Sequence, residues 1–208
     1  MYKYLQNNYI RTNLMNLCSK IIINVQDQLR EYFTFSFNIV GSGKSKLIMT
    51  DSNGKADLDY NIVIQRCNQE FINDPKNIKN LFMQALNNIA PQYELKKISD
   101  SKSVITTYCG KQDGINFSFD IAILIDGNDG FIYKLVADKS DTIRYIWNKV
   151  PKSKDFDYKY VYLKQNGYWA DIKKIYEIKK NDNPTEKPSF SLLIETINEI
   201  IQINHINL

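Results

Sequence analysis

The chain has 208 residues, 43% hydrophobic and 24% charged, with a formal net charge of +4; that suffices for one domain with a proper core, with or without a helical extension, and permits a polyanionic partner without demanding one. The lone histidine, His205, and the three scattered cysteines, Cys18, Cys67 and Cys109, which form no CxxC, argue against a His-ligated zinc site, a Ser-His-Asp or Cys-His centre and a disulfide framework. The opening segment Met1 to Asn8 lacks the apolar core of a signal peptide and no stretch approaches about 20 apolar residues, so a cytoplasmic location is expected.

From Leu5 to Tyr32 the apolar residues Ile10, Leu14, Leu17, Ile21, Ile22, Val25 and Leu29 keep helical spacing with one buried face. Phe33 to Val40 is aromatic and β-branched and reads as a strand, closed by Gly41-Ser42-Gly43. Lys44 to Lys55 is a polar connection with a turn at Asp51-Ser52-Asn53-Gly54, and Leu58 to Ile64 is the next strand, preceded by Ala56-Asp57. Asn73-Asp74-Pro75 offers a helix start, and Ile78, Leu81, Phe82, Ala85, Leu86 and Ile89 carry the helix to about Ala90. Tyr93 to Ile98 and Val104 to Cys109 read as strands, as does the long run Ile115 to Ile125. A hairpin turn at Asp126 to Gly130 leads into a returning strand, Phe131 to Ala137. Helices are expected over Asp141 to Val150, Asp157 to Lys179 and Ser189 to Ile203. Helix, mixed sheet, then helices is an α+β order.

Three aspartates stand out. Side chains alternate along a strand, so Asp57 and Asp59 share a face. On the later strand Phe117, Phe119, Ile121, Ile123 and Ile125 fill one face, and Ser118, Asp120, Ala122 and Leu124 the other. A carboxylate in so apolar a strand is costly unless paired or metal-bound, and a carboxylate shelf suits hard divalent cations such as Mg²⁺. Two such ions can clamp the attacking and leaving oxygens of a phosphoryl transfer. Gly41-Ser42-Gly43-Lys44-Ser45 does not complete a P-loop, which would need glycine where Asn38 stands.

Gly-Ser after a strand, Asp-x-Asp on the next and a single Asp on a later one resembles the DNA polymerase β superfamily of nucleotidyltransferases. The matching residues are Gly41, Ser42, Asp57, Asp59 and Asp120. The helix before the first strand is similar to the branch containing oligoadenylate synthetases and bacterial cyclic-oligonucleotide synthases. The tail adds a second likeness: Tyr168-Trp169 in a Lys-rich stretch and then Pro188-Ser189 to Glu195 resemble the lysine-bearing helix and the Ser-led helix that flank the nucleotide in that branch.

The resemblance implies a polymerase β-like mixed sheet flanked by helices, with a catalytic core over residues 1–137 and a helical C-terminal extension, 138–208, packed on it. It implies transfer of an NMP from an NTP, ATP foremost, with release of pyrophosphate. Asp57, Asp59 and Asp120 would hold two Mg²⁺ ions, or Mn²⁺, and do the catalytic work. Gly41, Ser42 and Lys44 would meet the phosphates. One lysine of the basic C-terminal third, which includes Lys152, Lys154, Lys159, Lys164, Lys173, Lys174, Lys179 and Lys180, would neutralise the triphosphate; Lys164 and Lys173 are the candidates, although a solvated helix face accounts for most of these charges. The acceptor stays open between a second nucleotide, a small molecule such as an antibiotic, a protein side chain and an RNA end. The rival readings are a non-catalytic nucleotide-sensing or protein-binding module and, with less support from a net charge of +4, a simple nucleic-acid binder.

Overall fold

Residues 1–138, 144–151, 155–185 and 187–208 are described by the computed structural model. In chain order the elements are β1 (Lys3–Tyr4), α1 (Asn8–Leu29), β2 (Phe33–Val40), α2 (Gly41–Lys44), β3 (Met49–Thr50), β4 (Lys55–Cys67), α3 (Gln69–Asn73), α4 (Pro75–Ile89), β5 (Lys97–Asp100), β6 (Ile105–Gln112), β7 (Ile115–Asp126), β8 (Ile132–Ala137), β9 (Tyr145–Lys149), α5 (Phe156–Gln165), α6 (Trp169–Asn181) and α7 (Ser189–Ile203). The strands form one mixed sheet. β4 and β7 pair in parallel at its centre, β2 and β3 run antiparallel to β4, β6 and β8 run antiparallel to β7, and β9 extends the sheet from β8.

The two long helices start where their side chains can satisfy the exposed N–H groups of a first turn. The Asn7 side chain accepts from the amides of Tyr9 and Ile10, and Asp74 accepts from that of Asn77 with Pro75 in the first turn. α1 buries Leu14, Cys18, Ile21, Ile22, Val25 and Leu29, and α4 buries Ile78, Phe82, Ala85, Leu86 and Ile89. Their apolar stripes join Leu58, Tyr60, Ile62 and Ile64 of β4 and Phe117, Phe119, Ile121 and Ile123 of β7 in one core. The apolar side of each central strand is thus committed to the helices, which leaves Asp57, Asp59, Ser118 and Asp120 on the other face.

A second apolar cluster joins Leu163 of α5, Ile172 and Tyr176 of α6 and Leu192, Leu193, Ile197 and Ile200 of α7 to Leu47 and Met49, which lie between α2 and β4. β1 clasps this cluster to the sheet. It pairs with β3, the Asn181 side chain bonds both the amide and the carbonyl of Tyr2, and the Tyr4 hydroxyl donates to the Lys173 carbonyl at 2.7 Å.

Three sequence expectations are corrected. Of the helix expected over Asp141 to Val150, residues 141–143 lie outside the described residues and Tyr145–Lys149 is the strand β9. Five aromatic, β-branched and polar residues are too few to display a helical period, and β8 offers them an unpaired edge. The strand expected from Tyr93 begins only at Lys97, because Leu95 donates to the Ala90 carbonyl and Glu94 sits at a φ of 51°, closing a turn after Pro91. The helix expected from Asp157 to Lys179 breaks into α5 and α6 at Gly167, whose φ of 89° no helical residue adopts. The short elements β1, β3 and α3 carry no periodic signal and are found only in the structure.

Phe82 is fully buried with its ring 5.4 Å from Phe33 and 5.3 Å from Phe35. Truncating it opens a cavity between α4 and β2 that rigid strands cannot close. Phe82→Ala is expected to lower the unfolding free energy by about 3–5 kcal/mol, read as a shift of the urea midpoint at unchanged slope.

Candidate active site

β4 and β7 run parallel in a register that sets Asp57 opposite Ser118 and Asp59 opposite Asp120. Neighbouring strands lie about 4.8 Å apart, so the carboxylates of Asp59 and Asp120 stand side by side. The Ser118 hydroxyl donates to Asp57 Oδ1, and the Lys55 ammonium reaches the same oxygen at 3.0 Å while lying 5.1 Å from the centre of the Tyr108 ring. On the far side of β7, Thr106 of β6 is opposite Asp120, and its hydroxyl favours the ionised form of that carboxyl.

Gly41 and Ser42 begin α2 at the end of β2, where Val40 pairs with Asp59. Ser45, Lys46 and Leu47 donate to the carbonyls of Gly41, Gly43 and Ser42, which fixes the turn. Gly41 has a φ of 57°, and a Cβ there would lie 2.7 Å from Asp59 Oδ2. Only glycine lets the backbone come this close to the carboxylate.

The charges repel. Burial first, then the nearby Asp120 and Asp57, push the Asp59 carboxyl up from 3.8 to about 6. The Asp120 carboxyl is also raised, by burial and by Asp57, against the pull of the Thr106 hydrogen bond and of Lys55 and Lys134. The cations that act on Asp59 are Lys180 and Lys134. Lys180, near the end of α6, bonds the Ser189 hydroxyl at the start of α7; burial lowers its ammonium while Asp57 and Asp59 pull it back up. Tyr176 is pushed up to about 12 by burial. Lys134 of β8 stands opposite Leu124, on the face that carries Asp120; burial lowers it while Asp59 and Asp120 raise it.

The structure therefore brings Asp57, Asp59 and Asp120 together with Gly41 and Ser42. Lys44 points elsewhere, 3.9 Å from Asp157 and largely exposed. Lys164 and Lys173 lie 4.9 Å and 5.9 Å from the Trp169 ring, on the aromatic side of α5 and α6. Lys152 and Lys154 lie outside the described residues. The lysines at the carboxylates are Lys55, Lys134 and Lys180. Sequence reasoning did not select them, because their place depends on strand register and on how α6 meets α7. The one available signal for Lys180 was its position just before a Ser-led helix.

Among the described residues no three acidic, histidine or cysteine side chains already converge into a cage for an ion. The donor set nevertheless fits a hard divalent cation. Three carboxylates occupy adjacent in-register positions, and burial, with the neighbouring carboxylates second, raises two of them, Asp59 and Asp120. Asp57 would exchange Lys55 for the ion.

No protein-family model matches the chain, and no curated protein does. Solved structures do. The DncV cyclic AMP-GMP synthase of Vibrio cholerae superimposes over 92% of this chain and 67% of its own with a TM-score of 0.63 and 12% identity. The CD-NTase CdnG of Bradyrhizobium diazoefficiens, solved with GTP, does so over 73% of this chain and 42% of its own, with a TM-score of 0.53 and 11% identity. This likeness defines the fold: the chain has the α+β nucleotidyltransferase fold of these bacterial synthases, and it spans 67% and 42% of their respective lengths. No helix is long and apolar enough to cross a membrane among the described residues.

Because the folded-state value of Asp59 is raised, its ionised form opposes folding. That penalty is fully present above about pH 6 and disappears as pH falls below the ordinary value of 3.8. Asp59→Asn should therefore raise the melting temperature of the metal-free protein at pH 8 by on the order of 5 °C and leave it nearly unchanged at pH 4. Thermal scans in EDTA check this; an equal effect at both pH values would refute it.

Proposed function

We propose that the protein is a Mg²⁺-dependent nucleotidyltransferase that moves an NMP from an NTP to an acceptor hydroxyl with release of pyrophosphate. The observation that carries this reading is the parallel register that sets Asp59 beside Asp120, with Asp57 two residues back and the Gly41-Ser42 turn against Asp59. Relatives of the same fold support it, since DncV has been solved with ATP and GTP and CdnG with GTP.

On this reading Asp57, Asp59 and Asp120 hold the metal, whose bound ions would neutralise phosphate charge and lower the acceptor hydroxyl's pKa. Gly41 and Ser42 receive the triphosphate with backbone N–H groups and the Ser42 hydroxyl. Lys180 and Ser189 close over it from the junction of α6 and α7, and their mutual hydrogen bond keeps both donors in place in the absence of substrate. Asp120, at the opposite end from the turn, faces the acceptor. Catalysis is then positioning and charge neutralisation by groups fixed in advance. We further propose ATP as donor and a nucleotide as acceptor, because Lys134 supplies a half-buried cation at the Asp120 end of the face, where a phosphate-bearing acceptor would find a counter-charge.

The test incubates the protein with Mg²⁺ or Mn²⁺ and the four NTPs, singly and mixed, with pyrophosphate release measured and products resolved by mass. Oligonucleotide products that vanish in Asp57→Ala/Asp59→Ala are expected. Lys180→Met should lower kcat/KM for the NTP by about 10²-fold, and Lys164→Met should leave it within a factor of two or so. No turnover and no metal-dependent NTP binding in the wild type would overturn the reading.

A further inference from the structure

Lys79 is a buried charge that the reading above does not use. It sits in the middle of α4, 2% exposed, on the helix that otherwise packs the apolar side of the sheet. Its ammonium pairs with Asp100 at the end of β5, donates to the Ser101 carbonyl at 2.7 Å and lies 4.9 Å from the centre of the Tyr145 ring. Tyr145, on β9, donates its hydroxyl to the same Asp100. Burying an ion pair in this way gains little stability over an apolar replacement of similar volume, so stability does not explain it.

What Lys79 holds is the turn from β5 to β6, where the Ser101 amide also bonds the Val104 carbonyl and the Lys102 carbonyl accepts from Ala137. Ser101 Oγ lies 3.3 Å from Thr106 Oγ1. Thr106, in turn, is directly opposite Asp120, so its hydroxyl and that carboxylate project from the same face of the sheet as cross-strand neighbours. An ionised carboxylate has no hydrogen to give, so a Thr106 hydroxyl turned to Asp120 must donate, which leaves its oxygen to accept from Ser101. Lys79 thus fixes the backbone of Ser101, whose hydroxyl meets Thr106, and Thr106 neighbours Asp120. The connection is mechanical: a held Ser101 backbone places the hydroxyl that meets Thr106.

We propose that Lys79, through Ser101 and Thr106, is a positioning residue for Asp120, fixing the rotamer in which that carboxylate meets metal and acceptor. Lys79 touches neither. The inference rests on the reading of Asp120 as a metal ligand, and it assigns a role to α4, the element that closes the core on the far side of the sheet. Partners behind a metal ligand commonly set metal affinity by about 10–100-fold.

The experiment measures Mn²⁺ affinity by electron paramagnetic resonance in the presence of a non-hydrolysable ATP analogue, so that turnover is not needed. The set is wild type, Asp120→Asn, Lys79→Met, Thr106→Val, Thr106→Ser and the double variant Lys79→Met/Thr106→Val. Lys79→Met and Thr106→Val should each weaken Mn²⁺ binding about tenfold. Thr106→Ser, which keeps the hydroxyl, should restore it, and the double variant should be no weaker than the worse single one. Thr106→Val and Thr106→Ser leave α4 intact and keep the test decisive if Lys79→Met does not fold. Wild-type Mn²⁺ affinity in Lys79→Met and Thr106→Val, alongside loss in Asp120→Asn, overturns the relay and leaves the nucleotidyltransferase reading standing. So do losses that add in the double variant. A wild type that binds no Mn²⁺ overturns both.

Discussion

The site depends on one pairing, the parallel register of β4 against β7. It is the only arrangement of these strands in which Asp59 falls beside Asp120 while Leu58, Tyr60, Phe119 and Ile121 all turn toward α1 and α4. A slip of one residue would turn the slipped strand's acid toward the helices and its apolar residues outward, so the hydrophobic pattern keeps the acids on one face. The core thus holds the acids half out of water and beside each other, and burial first and repulsion second raise the carboxyl of Asp59. A cation would relieve it.

The lysines around the acids divide the face into regions. Lys55 neutralises Asp57, Lys180 stands with Ser189 where the helices meet, and Lys134 approaches from β8. None of these is a loose surface charge. Lys180 and Lys134 are half-buried, and a half-buried ammonium needs a counter-charge nearby. The acids are that counter-charge, and a polyphosphate brought into the same space would compete with them for the lysines. The aromatic side of α5 and α6, where Lys164 and Lys173 rest on Trp169, is by contrast a packing surface in which the cation and the ring satisfy each other.

The carboxylate constellation was legible in the sequence because its signals are local. Period-two alternation tells which residues share a face, and Gly-Ser at a strand end marks a tight turn. β2 and α4 appear close to where the apolar spacing put them. The missing pieces are of a different physical kind. β9 is a strand because β8 has an edge to offer, which nothing within Tyr145 to Lys149 announces. α5 and α6 part at a single backbone torsion at Gly167. Lys134, Lys180 and Thr106 come to the acids through pairings between distant segments, and composition reads them as ordinary solvated or strand residues.

The clasp of residues 2–4 ties the two ends of the chain across the carboxylate face. α2 leads through Leu47 into β3, β3 pairs with β1, β1 is tied by Tyr2 and Tyr4 to α6, α6 packs on α7, and α7 returns to Leu47 in the second apolar cluster. These contacts form a closed loop that passes through both the Gly41-Ser42 turn and the Lys180–Ser189 pair. A closed loop of packed elements cannot yield at one joint alone. The Gly41-Ser42 turn and the Lys180–Ser189 pair, contributed by segments more than a hundred residues apart in the chain, are thereby held in one framework, so a shift of either is resisted through the other.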